Sequence, residues 1–145
     1  MVTLSAESTA YLDTNALIYL TEGTAAFKTN LEAFLQDALV ARARLVTSEL
    51  AITEVLVAPL RDQDKALIAA YDELFESLVV AVPIDRRILV RAAQLRADTT
   101  RLRTPDAIHL ATAERLDAEV FVTGDAGIVV NAPMVRHLLT DHRPK

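Results

Sequence analysis

The sequence predicts an α/β fold: a three-layer α/β/α arrangement around a central, mostly parallel sheet of four to five strands. Short apolar runs rich in β-branched and aromatic residues, such as 45–47, 78–82 and 119–122, alternate with longer segments of helical periodicity. Only three glycines occur in 145 residues, and Ala, Leu and Val dominate, a mixture that favours helices joined by a few short strands over an all-β design. With 52% hydrophobic and 24% charged residues there is enough apolar surface to offset chain entropy, so long disorder is not expected. The length fits a single domain over 1–145, with 1–8 and 141–145 expected to fray.

The elements follow in order. Residues 9–12 read as a buried strand ending at Asp13, and 14–20 as the opening turns of a helix. A helix over 25–41 carries Phe27, Leu31, Phe34, Leu35 and Leu39 on one stripe, for which core packing is the expected role. The strand 45–47 leads to Ser48, read as the cap of a helix over 49–58 that Pro59 halts; a helix over 62–74 and the strand 78–82 come next. An amphipathic helix over 84–97 and a basic loop over 98–103 deliver the chain to Thr104 and Pro105, a helix start of the preferred kind. That helix runs to about 116, the strand 119–122 follows, and 135–139 reads as a final edge strand. In such a fold, ligands bind beyond the carboxyl ends of the strands.

Composition narrows the chemistry. The absence of cysteine rules out disulfides, thiolate metal sites and a Cys nucleophile, leaving oxygen or imidazole to hold any metal, and fits a cytoplasmic protein. A net charge of −5 argues against a protein that grips nucleic acid by bulk charge, while leaving room for an enzyme with local arginines. No leader segment and no membrane span are expected.

Four acids stand out. Asp13 and Asp125 each follow the end of a predicted strand, Asp106 lies in the first turn after Thr104 and Pro105, and Glu54 shares a helix face with Leu50, Val57 and Ala58. Each has a plain structural explanation when taken singly. Asp13 and Asp125 suit caps or turns, Asp106 suits the helix dipole, and a slight rotation of the helix lets Glu54 reach water. Together they converge on one rim of the sheet. Two carboxylates about 4 Å apart repel by roughly 4 kcal/mol at an effective dielectric near 20, so such a cluster calls for protons or divalent cations. Oxygen donors without cysteine point to Mg²⁺ or Mn²⁺, ions that lower the pKa of bound water and clamp the oxygens of a phosphodiester during hydrolysis.

In order, the segments YLDTNALIYL, TSELAITEVLVAPL, TPDAIHLATA and VFVTGD resemble the successive motifs of PIN-domain ribonucleases, particularly VapC-type toxins, over nearly the whole chain. The resemblance implies a PIN-like domain in which Asp13, Glu54, Asp106 and Asp125 are the catalytic, metal-binding set. It also implies that Asn15 and Thr123 support that set by hydrogen bonding. It further implies an Mg²⁺- or Mn²⁺-dependent endoribonuclease acting on RNA, a homodimer, and a VapB-like antitoxin partner. Two departures are visible: Gly124 stands where many relatives have Asn, and 126–130 lack the basic and aromatic residues that often follow the last acid.

His109 lies one turn after Asp106 and is read as a packing or locally hydrogen-bonded residue; His137 and His142 have no supporting context. Arg86, Arg87, Arg91 and Arg96 suit a solvated basic face, and Arg101 and Arg103, just before Asp106, are candidates for contact with RNA phosphates. Other readings stay open: a catalytically silent PIN module that binds RNA or protein, and a non-toxin RNA-processing nuclease. An aspartyl phosphatase is weakened by Asn15, where that chemistry wants a second Asp.

Overall fold

The computed structural model describes residues 3–23 and 25–139, without the side chains of 25–28. Its strands are β1 (Thr9–Leu12), β2 (Arg44–Ser48), β3 (Val80–Val82), β4 (Val120–Thr123) and β5 (Val135–Leu138). The helices among the described residues are α1 (Thr14–Glu22), α2 (Ala25–Ala41), α3 (Leu50–Arg61), α4 (Lys65–Ser77), α5 (Arg86–Asp98) and α6 (Thr104–Arg115). The strands form one sheet in the order β3-β2-β1-β4-β5, and every pair is parallel, including the β5 edge.

Side-chain alternation along the strands builds two cores. Ala10 and Leu12 of β1, Leu45 of β2 and Val120 and Val122 of β4 pack on one face with residues of α1 to α4. Tyr11, Val46 and Phe121 point to the other face, under α5 and α6. Helix α6 is buried along 107–113, a stretch whose alanines let it lie close to its neighbours. The chain moves outward from β1 to β2 and β3, then returns to place β4 on the other side of β1. The strand order therefore reverses between β1 and β4, where a parallel sheet leaves a crevice at its carboxyl edge.

Several boundaries differ from expectation, each for a local reason. Pro59 does not halt α3. It lies buried in the last turn, where the missing N–H removes only one bond, and the chain continues to Arg61 before the Asp62 N–H closes on the Ala58 carbonyl at 2.9 Å. Helix α4 then starts at Lys65, capped by Asp64, whose Oδ1 accepts from the Leu67 N–H at 3.1 Å. Strand β3 begins only at Val80, because the N–H groups of Leu78 and Val79 both close on the Leu74 carbonyl at 3.0 Å. Ser48 belongs to β2, although its hydroxyl still accepts from the Leu50 N–H at 3.1 Å. Thr104 lies inside α6, and its hydroxyl accepts from Arg96 at 2.8 Å.

The stripe on α2 holds for Leu31, Phe34 and Leu35, but its fourth buried member is Ala38, while Leu39 is 53% exposed; the Phe27 side chain lies outside the described residues. At the start of the chain, residues 5–8 form a turn in which the Ser8 N–H bonds the Ser5 carbonyl at 3.0 Å, and the Ser8 hydroxyl donates to Glu119. Residues 140–145, including His142, lie outside the described residues. No helix among the described residues is long and apolar enough to cross a membrane.

Leu31 is fully buried in the core beneath α2. Leu31→Ala is expected to lower the unfolding free energy by about 2–5 kcal/mol, read as a shift in the urea midpoint with an unchanged slope.

Candidate active site

Strand β1 runs directly into α1, and Asp13 is the hinge between them. Its backbone is extended (φ −76, ψ 174), and its Oδ1 caps α1 by accepting from the Ala16 N–H at 3.0 Å. Its own N–H donates to the Val122 carbonyl at 3.1 Å, which sets the end of β4 alongside it. The Thr123 hydroxyl donates to the Asp13 carboxylate and accepts from the Asp125 N–H at 3.0 Å, so one fully buried side chain ties two of the acids to the same strand end. Asp13 is only 5% exposed. Burial pushes its carboxyl above the usual range; the Thr123 and Ala16 bonds and the nearby His109 oppose the rise, and the Asp106 charge adds to it.

Glu54 reaches the rim from α3. The buried residues of that helix are Ala51, Val55 and Pro59, while Val57 and Ala58 are exposed, so the expected core-facing stripe lies about one position away from where the sequence put it. Glu54 sits at its edge with a side chain 29% exposed. Its Oε1 accepts from the Thr14 hydroxyl at 2.7 Å and from His109 Nε2 at 2.7 Å. A carboxylate only accepts, so Nε2 carries a proton; Nδ1, 2.6 Å from the Tyr11 hydroxyl, is the acceptor in the neutral ring. Burial pushes Glu54 up, but the bonds from His109 and Thr14, with the charges of His109 and Arg103, outweigh it and hold its carboxyl below the usual range.

Asp106 stands in the first turn of α6, 24% exposed, with Arg103 Nε 3.6 Å from its Oδ2. Asp125 is placed differently. Its Oδ1 turns back to accept from the Gly127 N–H at 2.8 Å, and the residue is exposed. The structure thus brings Asp13, Glu54 and Asp106 within electrostatic reach of His109 or of one another, and leaves the Asp125 carboxylate engaged in its own turn. Among the described residues, no three His, Asp or Glu side chains stand close enough to share one ion in this arrangement.

Asn15 is exposed in the first turn of α1. Arg101 and Arg103 are exposed on the loop before α6, which Arg96 braces by donating to the Leu102 carbonyl at 3.0 Å; Arg91 is paired with Glu114 at 2.7 Å. At Gly124, a Cβ would come within 2.7 Å of the Tyr19 ring, a close approach that suits glycine in place of a larger residue. His137 lies away from this rim, bonded to Asn30 at 2.9 Å and tilted against Phe34. The sequence reading missed Tyr11 and Thr14 altogether, and it set His109 beside Asp106, whereas the ring faces Glu54. The one signal for Tyr11 was a hydroxyl-bearing aromatic in a strand otherwise built of small and aliphatic side chains.

A five-stranded parallel sheet in the order β3-β2-β1-β4-β5, with Asp13 just past the end of β1 and Asp106 near enough for its charge to act on it, defines the class of protein. The chain belongs to the PIN domain family, whose pattern matches residues 10–132. Its fold is similar to that of FitAcB from Neisseria gonorrhoeae, with a TM-score of 0.62 at 17% identity over 81% of this chain and 88% of that one. It is also similar to a toxin-antitoxin complex from Klebsiella pneumoniae, with a TM-score of 0.54 at 25% identity over 87% of this chain and 99% of that one. VapBC-1 from nontypeable Haemophilus influenzae aligns with a TM-score of 0.60 at 22% identity over 79% and 85% of the two chains. No curated protein matches the sequence.

The raised Asp13 pKa has a consequence for stability. The folded state holds the Asp13 proton more tightly than the unfolded chain, so in metal-free buffer Asp13 contributes stability at low pH that is lost as pH rises through its folded-state pKa. Asp13→Asn, which keeps the cap without the charge, is expected to raise the melting temperature at pH 7 in EDTA. The gain should shrink as pH falls toward the ordinary aspartate value of about 3.9. Melting curves at several pH values check both the sign and the trend.

Proposed function

We propose that the chain is a metal-dependent endoribonuclease that hydrolyses RNA phosphodiester bonds, and that it is the toxin of a VapBC-type toxin–antitoxin pair. The observation that carries this reading is Asp13: a buried carboxylate at the reversal point of a parallel sheet, with its pKa pushed up by burial and, to a lesser degree, by the charge of Asp106. The donor set fits a hard ion, because every candidate ligand is a carboxylate oxygen and the chain has no cysteine. Asp13, Glu54 and Asp106 are the proposed ligands and catalytic residues, with Asp125 joining if its carboxylate leaves the Gly127 N–H. Thr123 and Asn15 are the proposed supports.

When bound, Mg²⁺ or Mn²⁺ supplies Lewis-acid charge at phosphorus and a more acidic water. The chain's own part is to hold the acids in place and oriented. Thr123 fixes Asp13 from β4, the His109 and Thr14 bonds keep Glu54 unprotonated, and the start of α6 presents Asp106 where its dipole favours a negative charge. Arg101 and Arg103, exposed beside Asp106, are the proposed contacts for flanking RNA phosphates. A VapB-like antitoxin, a homodimer, a single domain over 1–145 and a cytoplasmic setting complete the proposal. The kinship with a Klebsiella pneumoniae toxin-antitoxin complex supports the antitoxin.

One observation favours the alternative of a catalytically silent RNA- or protein-binding module: the Asp125 carboxylate is turned into its own loop. The purified chain, with Asp13→Asn and Asp106→Asn variants, is to be incubated with total cellular RNA in Mg²⁺, Mn²⁺ or EDTA. Cleavage should require the metal and fall by on the order of 10²-fold or more in each variant. RNA binding without metal-dependent cleavage would instead identify the silent module. A non-toxin processing enzyme would cleave in the same way without arresting growth when expressed alone.

A further inference from the structure

His109 is 3% exposed beside a part of the core built from aliphatic side chains with Tyr11, Phe121 and Met134, where an apolar side chain would fill the space without a polar ring to satisfy. Both of its nitrogens are engaged, and each partner comes from a different element. Nδ1 meets the Tyr11 hydroxyl of β1 at 2.6 Å, and Nε2 meets Glu54 Oε1 of α3 at 2.7 Å. Tyr11 is itself immobilised: it is fully buried, stacked on Phe121 with ring centroids 5.2 Å apart and planes 9° from parallel, and edge-on to His109. Thr14, adjacent to Asp13, donates to the same Oε1 at 2.7 Å. Both bonds therefore fall on one oxygen, and among the described residues no protein group bonds Oε2.

A glutamate has three side-chain torsions to fix, and ordering them costs conformational entropy. Here the ordering is already done by a chain of contacts that starts in the sheet core and ends on Oε1. Resting on the metal-dependent reading given under Proposed function, we propose that Tyr11 and His109 are positioning residues. They lock the Glu54 carboxylate so that Oε2 is presented to the divalent cation, and cation affinity is thereby set by side chains that never touch it. Outer partners of this kind commonly change metal affinity by about 10–100-fold when removed.

The test is Mn²⁺ binding by isothermal titration calorimetry on the full chain and four variants, with folding checked by circular dichroism and urea midpoints. Glu54→Gln should weaken Mn²⁺ binding, which establishes that Glu54 is a ligand. His109→Leu should weaken it by about 10–100-fold, and His109→Gln, whose amide places a donor near the Nε2 position, should recover most of that loss. Tyr11→Phe, which keeps the stack and removes the hydroxyl, should fall between wild type and His109→Leu. A purely structural histidine predicts a lower urea midpoint in His109→Leu with Mn²⁺ affinity unchanged, and that result, alongside a weakened Glu54→Gln, overturns the positioning role alone. A loss in His109→Leu with no recovery in a folded His109→Gln overturns its hydrogen-bond basis. If His109→Leu does not fold, unchanged affinity in Tyr11→Phe is the overturning result. An unaltered Glu54→Gln in a chain that binds Mn²⁺ would remove Glu54 as a ligand and the positioning role with it, whereas a wild-type chain that binds no Mn²⁺ would remove the cation reading itself.

Discussion

Strand β1 lies between β2 and β4, and the N–H of Asp13, the first residue past its end, donates to the Val122 carbonyl of β4. That pairing closes the sheet across the point where strand order reverses. It forces one aspartate to serve as the end of β1, the cap of α1 and a neighbour of Thr123 at once. The remaining site groups are positioned relative to it. Thr14 follows Asp13 and reaches Glu54, and the first turn of α6 sets Asp106 close enough for its charge to be felt at Asp13.

The environments push the two central carboxylates in opposite directions. Asp13, nearly sealed from water and facing Asp106, is raised; Glu54, held by a histidine and a threonine, is lowered. In a low-dielectric rim this split keeps two like charges from being equally costly. The same geometry explains the polar residues in the core. Thr123 and His109 are buried because each satisfies an acid from behind, which the open side of the crevice cannot do.

Much of this was legible in the sequence, because it is written in local periods. The strand at 9–12, the long helix at 25–41 and the acids at strand ends follow from alternation and helical spacing. The face of α3 was less legible. Two of its three buried positions are occupied by Ala51 and Pro59, which give a weaker apolar signal than the exposed Val57, and the third, Val55, gives the same signal as Val57. The His109 partners were not legible at all. They lie 98 and 55 residues away in sequence, on elements whose relative placement depends on the whole sheet order. Asp125 carried a turn-like context, Thr-Gly-Asp followed by Ala-Gly, and its carboxylate does engage that turn.

The most direct measurement is a crystal structure of the chain grown in Mn²⁺, with anomalous scattering to locate the ion. The account predicts a peak at the carboxyl edge between β1 and β4, within coordination distance of Asp13, Asp106 and the outward oxygen of Glu54. A saturating Mn²⁺ soak that leaves this rim empty, or places the ion on other residues, would contradict it.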